Sequence, residues 1–416
     1  MHSPLRILWL IDFEYSSRLH HGAYIRYFNF APRLLARGHS VVFAVNFIDS
    51  DRQPARKYLE ELKAAGIFTD FVETNLEIEP WRLKAGLKLV YPAFSNLFVR
   101  PTYQQFASTI DAIAAKTRAD IIIISTPRLL FVQRESRARC PFIFDICDSQ
   151  SLFLVRQIRV LFKQHKWKAL LRQFKLLMLA VSREHYYCRA PVLKILASPV
   201  DKRSIDKIAG CPESTVVILN GVKEPSPHSF VERVPGRLIF TGNMAFAPNY
   251  EAALWFEKAV FPQLLRLYPN AQLVIAGANP IPELLNRASD RVIVTGYVSD
   301  ILREIASSSI FVAPLISGGG FKNKILEAFI TRTYVVGTKI AVEFLDPVLR
   351  GLVSVANTPE EMVAAIQHAW EHPDLVKART ESIYNRISNE FGWAGRTEEV
   401  IELARRALLQ HSTSIS

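Results

Sequence analysis

Short apolar or β-branched runs, each ending at a turn and followed by a longer helical pattern, recur through the whole chain. Such alternation admits few architectures besides parallel α/β layers. In the first half the strand candidates are RILWLI, SVVFAVNF, IFTDFVE, DIIIIST and PFIFDIC. In the second half RLIFTG, QLVIAG, RVIVTG, IFVAPL, TYVVGT and LVSVA repeat the pattern, with turns at Gly242, Gly277, Gly296 and Gly318. The segment between the first two strands, GAYIRYFNFAPRLLARGH, places Ile25, Phe28, Leu34 and Leu35 at helical spacing and stops at Gly38. Glycine commonly closes a helix.

A chain of 416 residues exceeds one ordinary core and suits two domains. The expected division is a first α/β domain over 1–200, a linker region over 201–235, a second α/β domain over 236–392, and a final amphipathic helix over 393–416 that can pack back on the first domain. The Pro-rich stretch NGVKEPSPHSFVERVPG, residues 220–236, is the best linker candidate. Open sheets of this kind bind ligands beyond the carboxyl ends of their strands.

The opening LRILWLIDF reads as a first strand rather than a signal peptide, being broken by Arg6 and followed by no small-residue cleavage site. No run approaches the ~20 apolar residues of a spanning helix. Cys140, Cys147, Cys188 and Cys211 form no CxxC pair or metal-ligand spacing, which fits reduced thiols in the cytoplasm. Residues 1–200 hold 29 Lys and Arg against 16 Asp and Glu, leaving 22 against 23 for the remainder. The first half is therefore expected to meet an anionic partner.

Residues 317–329, SGGGFKNKILEAF, follow a strand and open a helix with Ile325, Leu326 and Phe329 on one face. Glycines here serve either an exposed turn or a backbone cradle for phosphate at a helix start. In the second case Lys322 and Lys324 add charge-assisted bonds, and Glu327 is placed to accept from paired hydroxyls. The stretch has neither Walker A nor G-x-G-x-x-G spacing.

The run LIFTGNMAFAPNYEAALWFEKAVFPQLLRLYPNAQLVIAGANP, followed by VIVTGYVSDI and APLISGGGFKNKILEAF, resembles the donor domain of GT-B glycosyltransferases, in particular retaining glycosyltransferase family four. GAYIRYFNFAPRLLARGHSVVF, FIFDICDSQS and VVILNGV fit the same family in the same order. The resemblance implies two doubly wound Rossmann-like domains with a cleft between them, a nucleotide diphosphate sugar held by the second, and an acceptor held by the first. It implies a hexosyltransferase-like enzyme of polysaccharide or lipid-linked glycan assembly, acting with retention of configuration and needing neither cofactor nor metal. Gly242 and Asn243 are implied at the phosphate side, Tyr297 and Val298 at the base, and Gly319, Gly320, Phe321, Lys322, Asn323, Lys324 and Glu327 around the diphosphate and ribose. Gly22 and Arg26 are implied to approach the same phosphates from the first domain.

Two departures from that family's pattern stand out. The first glutamate of its E-x7-E motif falls at Gly319, and the Arg and Lys that usually follow the FTG strand are replaced in a region holding Asn243 and Pro248. Lys322 and Lys324 are the nearest substitutes for the missing charge, with Lys324 as a catalytic candidate. Asp145 and Asp148 end a strand in DICDSQS, where a carboxylate can orient an acceptor hydroxyl, act as base, or simply cap a helix. Asp148 is the catalytic candidate of the two. His20 and His21 read as exposed loop residues, and the D-x-D triplet at Asp49 and Asp51 as chance.

From Ser149 to Arg183 there is no acidic residue. Lys163, Lys166, Lys168, Arg172 and Lys175 interleave with Phe162, Trp167, Leu171, Phe174 and Met178. This pattern fits either a core helix with a solvated cationic face or a helix lying on an anionic membrane. A second acid-free segment, WRLKAGLKLVYPAFSNLFVRPTYQQF, occurs in the same half. The expected enzyme is cytoplasmic and peripheral to the inner membrane face. Two alternatives are a non-catalytic nucleotide- or glycan-binding subunit and a nucleic-acid binder, the latter lacking any known motif.

Overall fold

The computed structural model describes residues 3–15, 22–49, 51–76, 92–222 and 231–415. It divides into two compact units, Met1–Asn220 with Trp393–Ser416, and Gly221–Gly392.

The first unit is built on strands β1 (Arg6–Phe13), β2 (Ser40–Phe47), β3 (Asp70–Thr74), β4 (Ile121–Ile124), β5 (Phe142–Cys147), β6 (Leu193–Leu196) and β7 (Thr215–Val217). They pair in parallel in the order β3-β2-β1-β4-β5-β6-β7. Alternate residues of β1 feed two cores, as the two-residue period of a strand requires. Ile7, Trp9, Ile11 and Phe13 pack under the helix Gly22–Leu35, whereas Leu8 and Leu10 pack with Phe106, Ala107 and Ile110 of the helix Pro92–Thr117. Both faces are covered, so β1 is nearly continuously apolar.

The buried face of the helix Gly22–Leu35 is Tyr24, Tyr27, Phe30, Ala31 and Leu34, not the face carrying Ile25. The final helix, Trp393–Ile415, belongs to this unit and sets Trp393 edge-on against Phe30 at 5.2 Å. The expected linker at 201–235 is displaced. Residues Pro199–Ala209 form a helix and 215–217 the edge strand β7, so the first unit continues to Asn220. That helix has Ser198 as its cap, Pro199 in its first turn and Gly210, with φ of 70°, just beyond its end. Strand β6 escapes hydrophobic patterning because Lys194 interrupts it. Its buried ammonium donates to the carbonyls of Ala190 and Val192 at 3.0 and 2.8 Å and to Ser214 Oγ at 2.7 Å.

The second unit contains β8 (Val234–Thr241), β9 (Gln272–Ala276), β10 (Val292–Gly296), β11 (Ser308–Ala313), β12 (Tyr334–Gly337) and β13 (Ser354–Val355). All pairs are parallel, in the order β10-β9-β8-β11-β12-β13. In both units the order reverses beside the first strand, giving two doubly wound sheets as expected.

Candidate functional site

In the second unit the order reverses between β8 and β11, so the turns after these strands border the crevice in which such sheets hold ligands. Gly242 follows β8 directly and touches the turn after β9: a Cβ built on Gly277 would lie 1.9 Å from the Gly242 carbonyl oxygen. A Cβ on Gly242 would in turn lie 2.6 Å from Asn249 Nδ2 and 2.9 Å from Lys324 Nζ. The backbone thus gives way to one amide and one ammonium.

Lys324 lies in the first turn of the helix Asn323–Ile330. Its Nζ donates to Asn249 Oδ1 at 2.8 Å and stands 4.3 Å from the centre of the Phe240 ring. Asn249 Nδ2 donates to the Asn243 carbonyl at 2.9 Å, so one buried amide links the turn after β8 to the lysine. Burial pushes the Lys324 pKa down to about 7, opposed by the negative charge of Glu327 and reinforced by Lys322. Glu327, three residues on and half-buried, has its carboxyl pKa raised by burial and drawn back by Lys324. The helix start has no side-chain cap and no acidic residue in its first turn. Its N–H groups therefore carry the positive end of the helix dipole uncompensated by a local carboxylate.

Lys322 departs from the expected role. Its ammonium turns inward, donates to the Gly320 carbonyl at 2.7 Å and pairs with Glu343 at 3.4 Å. It pins the glycine turn, and Phe321 packs on Phe344 with ring centres 4.5 Å apart. Gly318 and Gly320 have φ of 103° and 71°, in the region that favours glycine, while Gly319 is not among the positive-φ glycines. Asn323 opens the helix and is half-buried. Tyr297 and Val298 follow β10, the tyrosine exposed and the valine half-buried. Asn243 Oδ1 accepts from the N–H of Ala245 at 3.1 Å, which shapes the turn after β8.

The first unit reverses its strand order between β1 and β4, and Gly22 begins the helix that follows β1. Arg26 does not face outward to phosphates: it is 1% exposed. Its Nε lies 2.9 and 3.1 Å from the two Asp145 oxygens, and its Nη1 donates to the Ile218 carbonyl and Asn220 Oδ1, each at 2.9 Å. The pair is an internal fastening, and Asp145 is likewise removed from solvent. Asp148 is exposed at the end of β5, and the cap of the next helix is Ser149, whose Oγ accepts from the Leu152 N–H. Asp49 and Asp51 accept from the N–H groups of Tyr15 and Gln53, as turn residues do. His20 and His21 lie outside the described residues, as do residues 81–91 of the second acid-free segment. Lys163, Lys166, Lys168, Arg172 and Lys175 are all exposed.

Residues 235–372 match the family described as glycosyl transferases group 1. Across nearly the whole chain the fold is similar to a glycosyltransferase from Rickettsia africae, with a TM-score of 0.67 at 15% identity over 98% of this chain and 99% of that one. It is also similar to Anabaena HepE, solved in complex with UDP, with a TM-score of 0.65 at 15% identity over 96% and 99% of the two chains. The chain has the GT-B fold, and most of its second unit is similar to the group 1 glycosyl transferases. A curated relative, an uncharacterized 44.6 kDa protein in the cps region of Klebsiella pneumoniae, is 30% identical over 115 residues, or 26% of this chain. The match spans 30% of that relative's length.

Two parts of this GT-B chain were not anticipated from its sequence. Asn249 has no spacing signature; its link to Lys324 arises because the helices Ala247–Ala259 and Asn323–Ile330 both start beside β8. The other is Asp12 at the end of β1. It accepts from Asn46 Nδ2 at 2.6 Å, Thr126 Oγ1 at 2.8 Å, and Arg128 at 2.6 and 3.0 Å. This network ties together the ends of β1 and β2 and the turn after β4, at the first unit's own point of reversal.

Proposed function

We propose that this chain is a glycosyltransferase that moves a sugar from a nucleotide diphosphate sugar to a lipid-linked or growing polysaccharide acceptor at the cytoplasmic face of the membrane. The observation that carries this reading is the Lys324 ammonium. It stands against Gly242 at the strand-order reversal, beside an uncapped helix start and one turn from Glu327. Two oxygens of a diphosphate can meet the ammonium and the helix N–H groups, while Glu327 accepts from ribose hydroxyls. Charge developing on the leaving diphosphate is then stabilised by groups already in place. Lys324 supplies the charge that relatives of this pattern place after the FTG strand, so metal is not required by the proposal. Retention of configuration is the outcome the family resemblance supports. If the product anomer is inverted instead, exposed Asp148 is the first candidate for a base on the acceptor side.

The UDP-glucose complex of HepE makes UDP-sugars the first donors to test. A thermal-shift panel of nucleotides and nucleotide sugars should show stabilisation by one donor class, because a ligand of the native state raises apparent stability. Absence of any shift contradicts the donor site. Glu327→Ala should raise the donor KM about tenfold or more, as expected for loss of hydrogen bonds to a charged group, with the melting temperature retained. Unchanged donor affinity would remove Glu327 from the ribose. Donor binding without transfer to membrane extracts would instead favour a nucleotide-binding subunit of the same fold.

A further inference from the structure

The acid-free segment forms a helical hairpin, Gln150–Lys163 and Trp167–Cys188, joined by three residues that include His165 in a left-handed conformation with φ of 55°. The inner side of this hairpin is buried through Val160, Leu161, Ala180, Tyr187 and Cys188. Its outer part is not. Trp167, Leu171, Phe174 and Met178 are 55%, 66%, 53% and 52% exposed, and Phe162 beside them is 59% exposed. The spacing of four, three and four residues puts Trp167, Leu171, Phe174 and Met178 on one face of the second helix, a stripe about 16 Å long. Phe162 meets Trp167 edge-on at 5.8 Å and extends the stripe across the turn.

Scattered exposed apolar residues need no explanation, but a contiguous stripe of five large ones marks a contact surface. Lys163, Lys166, Lys168, Arg172 and Lys175 are exposed around it, and no acidic residue occurs between Ser149 and Arg183. A core helix with a solvated cationic face would have turned the stripe inward, and here it faces water.

We infer that this hairpin is a docking surface for an anionic lipid bilayer, with the stripe entering the headgroup and acyl boundary and the five cations meeting lipid phosphates. The charge pattern chooses the occupant. A second copy of this chain would bring five more cations against the same five with no acidic residue to pair them. Nucleic acid would satisfy the cations but leave the central stripe without an apolar counterpart. An anionic membrane satisfies both parts, since interfacial helices bury an apolar face while basic residues reach the headgroups. No helix among the described residues is long and apolar enough to cross a membrane, so this surface would act as a peripheral contact. The inference rests on the membrane-face part of the proposed function and is independent of its transfer chemistry.

The test is co-sedimentation of the full chain with vesicles of phosphatidylcholine containing phosphatidylglycerol, against vesicles of phosphatidylcholine alone. Binding should require the anionic lipid and weaken with added salt. Each basic residue near such a surface contributes on the order of a fivefold change in affinity. The triple variant Lys166→Glu, Lys168→Glu, Arg172→Glu should therefore bind at least ~100-fold more weakly. A second variant, Leu171→Ser with Phe174→Ser, should bind about tenfold or more weakly at unchanged charge. The difference in tryptophan emission between the native chain and Trp167→Phe should move to shorter wavelength when anionic vesicles are added. Melting temperatures and nucleotide shifts of the variants report folding and donor binding separately. Vesicle binding without any nucleotide shift leaves this inference standing and removes the donor reading. Failure of the native chain to bind anionic vesicles, equal binding by the Leu171→Ser and Phe174→Ser variant, or a dimer dispersed by that variant with no lipid binding would each overturn it.

Discussion

Each unit carries a basic residue early in the helix that follows a strand bordering its reversal point, and the two are held in opposite ways. In the first unit the Arg26 guanidinium is enclosed, clasped by both Asp145 oxygens and two further acceptors. In the second, the Lys324 ammonium has one amide acceptor and one aromatic face among the described residues, and the charge of Glu327 offsets part of the effect of its burial. An internally neutralised cation fixes structure. A cation held in a recess with little compensation is ready for an incoming anion, and burial has already made its charged form unfavourable. A basic residue near a glycine turn is therefore a poor guide to ligand binding until its own partners are counted.

The largest effect that separates the two cations concerns stability. Arg26→Ala leaves the buried Asp145 carboxyl without its cation, and should destabilise the chain by about 3–5 kcal/mol. The double variant Arg26→Met with Asp145→Leu should recover much of that loss, as replacement of a buried pair by apolar groups often does. Chemical denaturation of the single and double variants measures both. If Arg26→Ala keeps native stability but loses donor affinity, the contrast collapses.

Next in size is the response of Lys324. Lys324→Met should keep the fold and lose about 1.5–3 kcal/mol of nucleotide-sugar affinity, the range for a hydrogen bond to a charged group. Equilibrium titration checks this, with Lys322→Met as the comparison. Because Lys322 holds the Gly320 carbonyl, its replacement should lower the melting temperature as well as weaken binding.

The smallest effects lie within the triple glycine. Gly318→Ala should cost about 1–2 kcal/mol, because its φ of 103° suits no L side chain and its Cβ would lie 3.2 Å from Pro248. Gly319→Ala should change stability by less than about 0.5 kcal/mol, as its backbone makes no such demand. Equal losses at the two positions would mean that Gly319 is required by packing rather than tolerated where relatives carry a glutamate.

Most of the fold was legible because parallel strands buried on both faces are short, apolar and bounded by turns; β1 and β11 are plain examples. Strand β6 was not, because its buried Lys194 imitates a surface position. The helix Pro199–Ala209 carried a readable start and stop in Ser198, Pro199 and Gly210, yet its polar composition placed it within the expected linker. The candidate site was legible as a stretch but not residue by residue. Two residues at a helix start point about 200° apart around the axis, so spacing alone cannot tell which of Lys322 and Lys324 faces the crevice. Arg26 misled for a related reason. Its helix was assigned a face through Ile25 and Phe28, whereas the buried side runs through Tyr24, Tyr27 and Phe30 and carries the arginine inward.

Proton uptake on donor binding tests the central claim most directly. With its pKa pushed down to about 7 by burial, Lys324 changes protonation state near neutral pH. A diphosphate beside it favours the charged form and raises that pKa, so affinity should be greatest below pH 7 and fall as pH rises through and above it. Calorimetric titration with UDP-glucose, whose diphosphate does not itself titrate near neutrality, should show net proton uptake near pH 7 when repeated in buffers of different ionisation enthalpy. The account predicts that Lys324→Met abolishes this uptake together with the affinity it supports. Tight binding by Lys324→Met, with the same uptake and the same pH profile as the native chain, would contradict it.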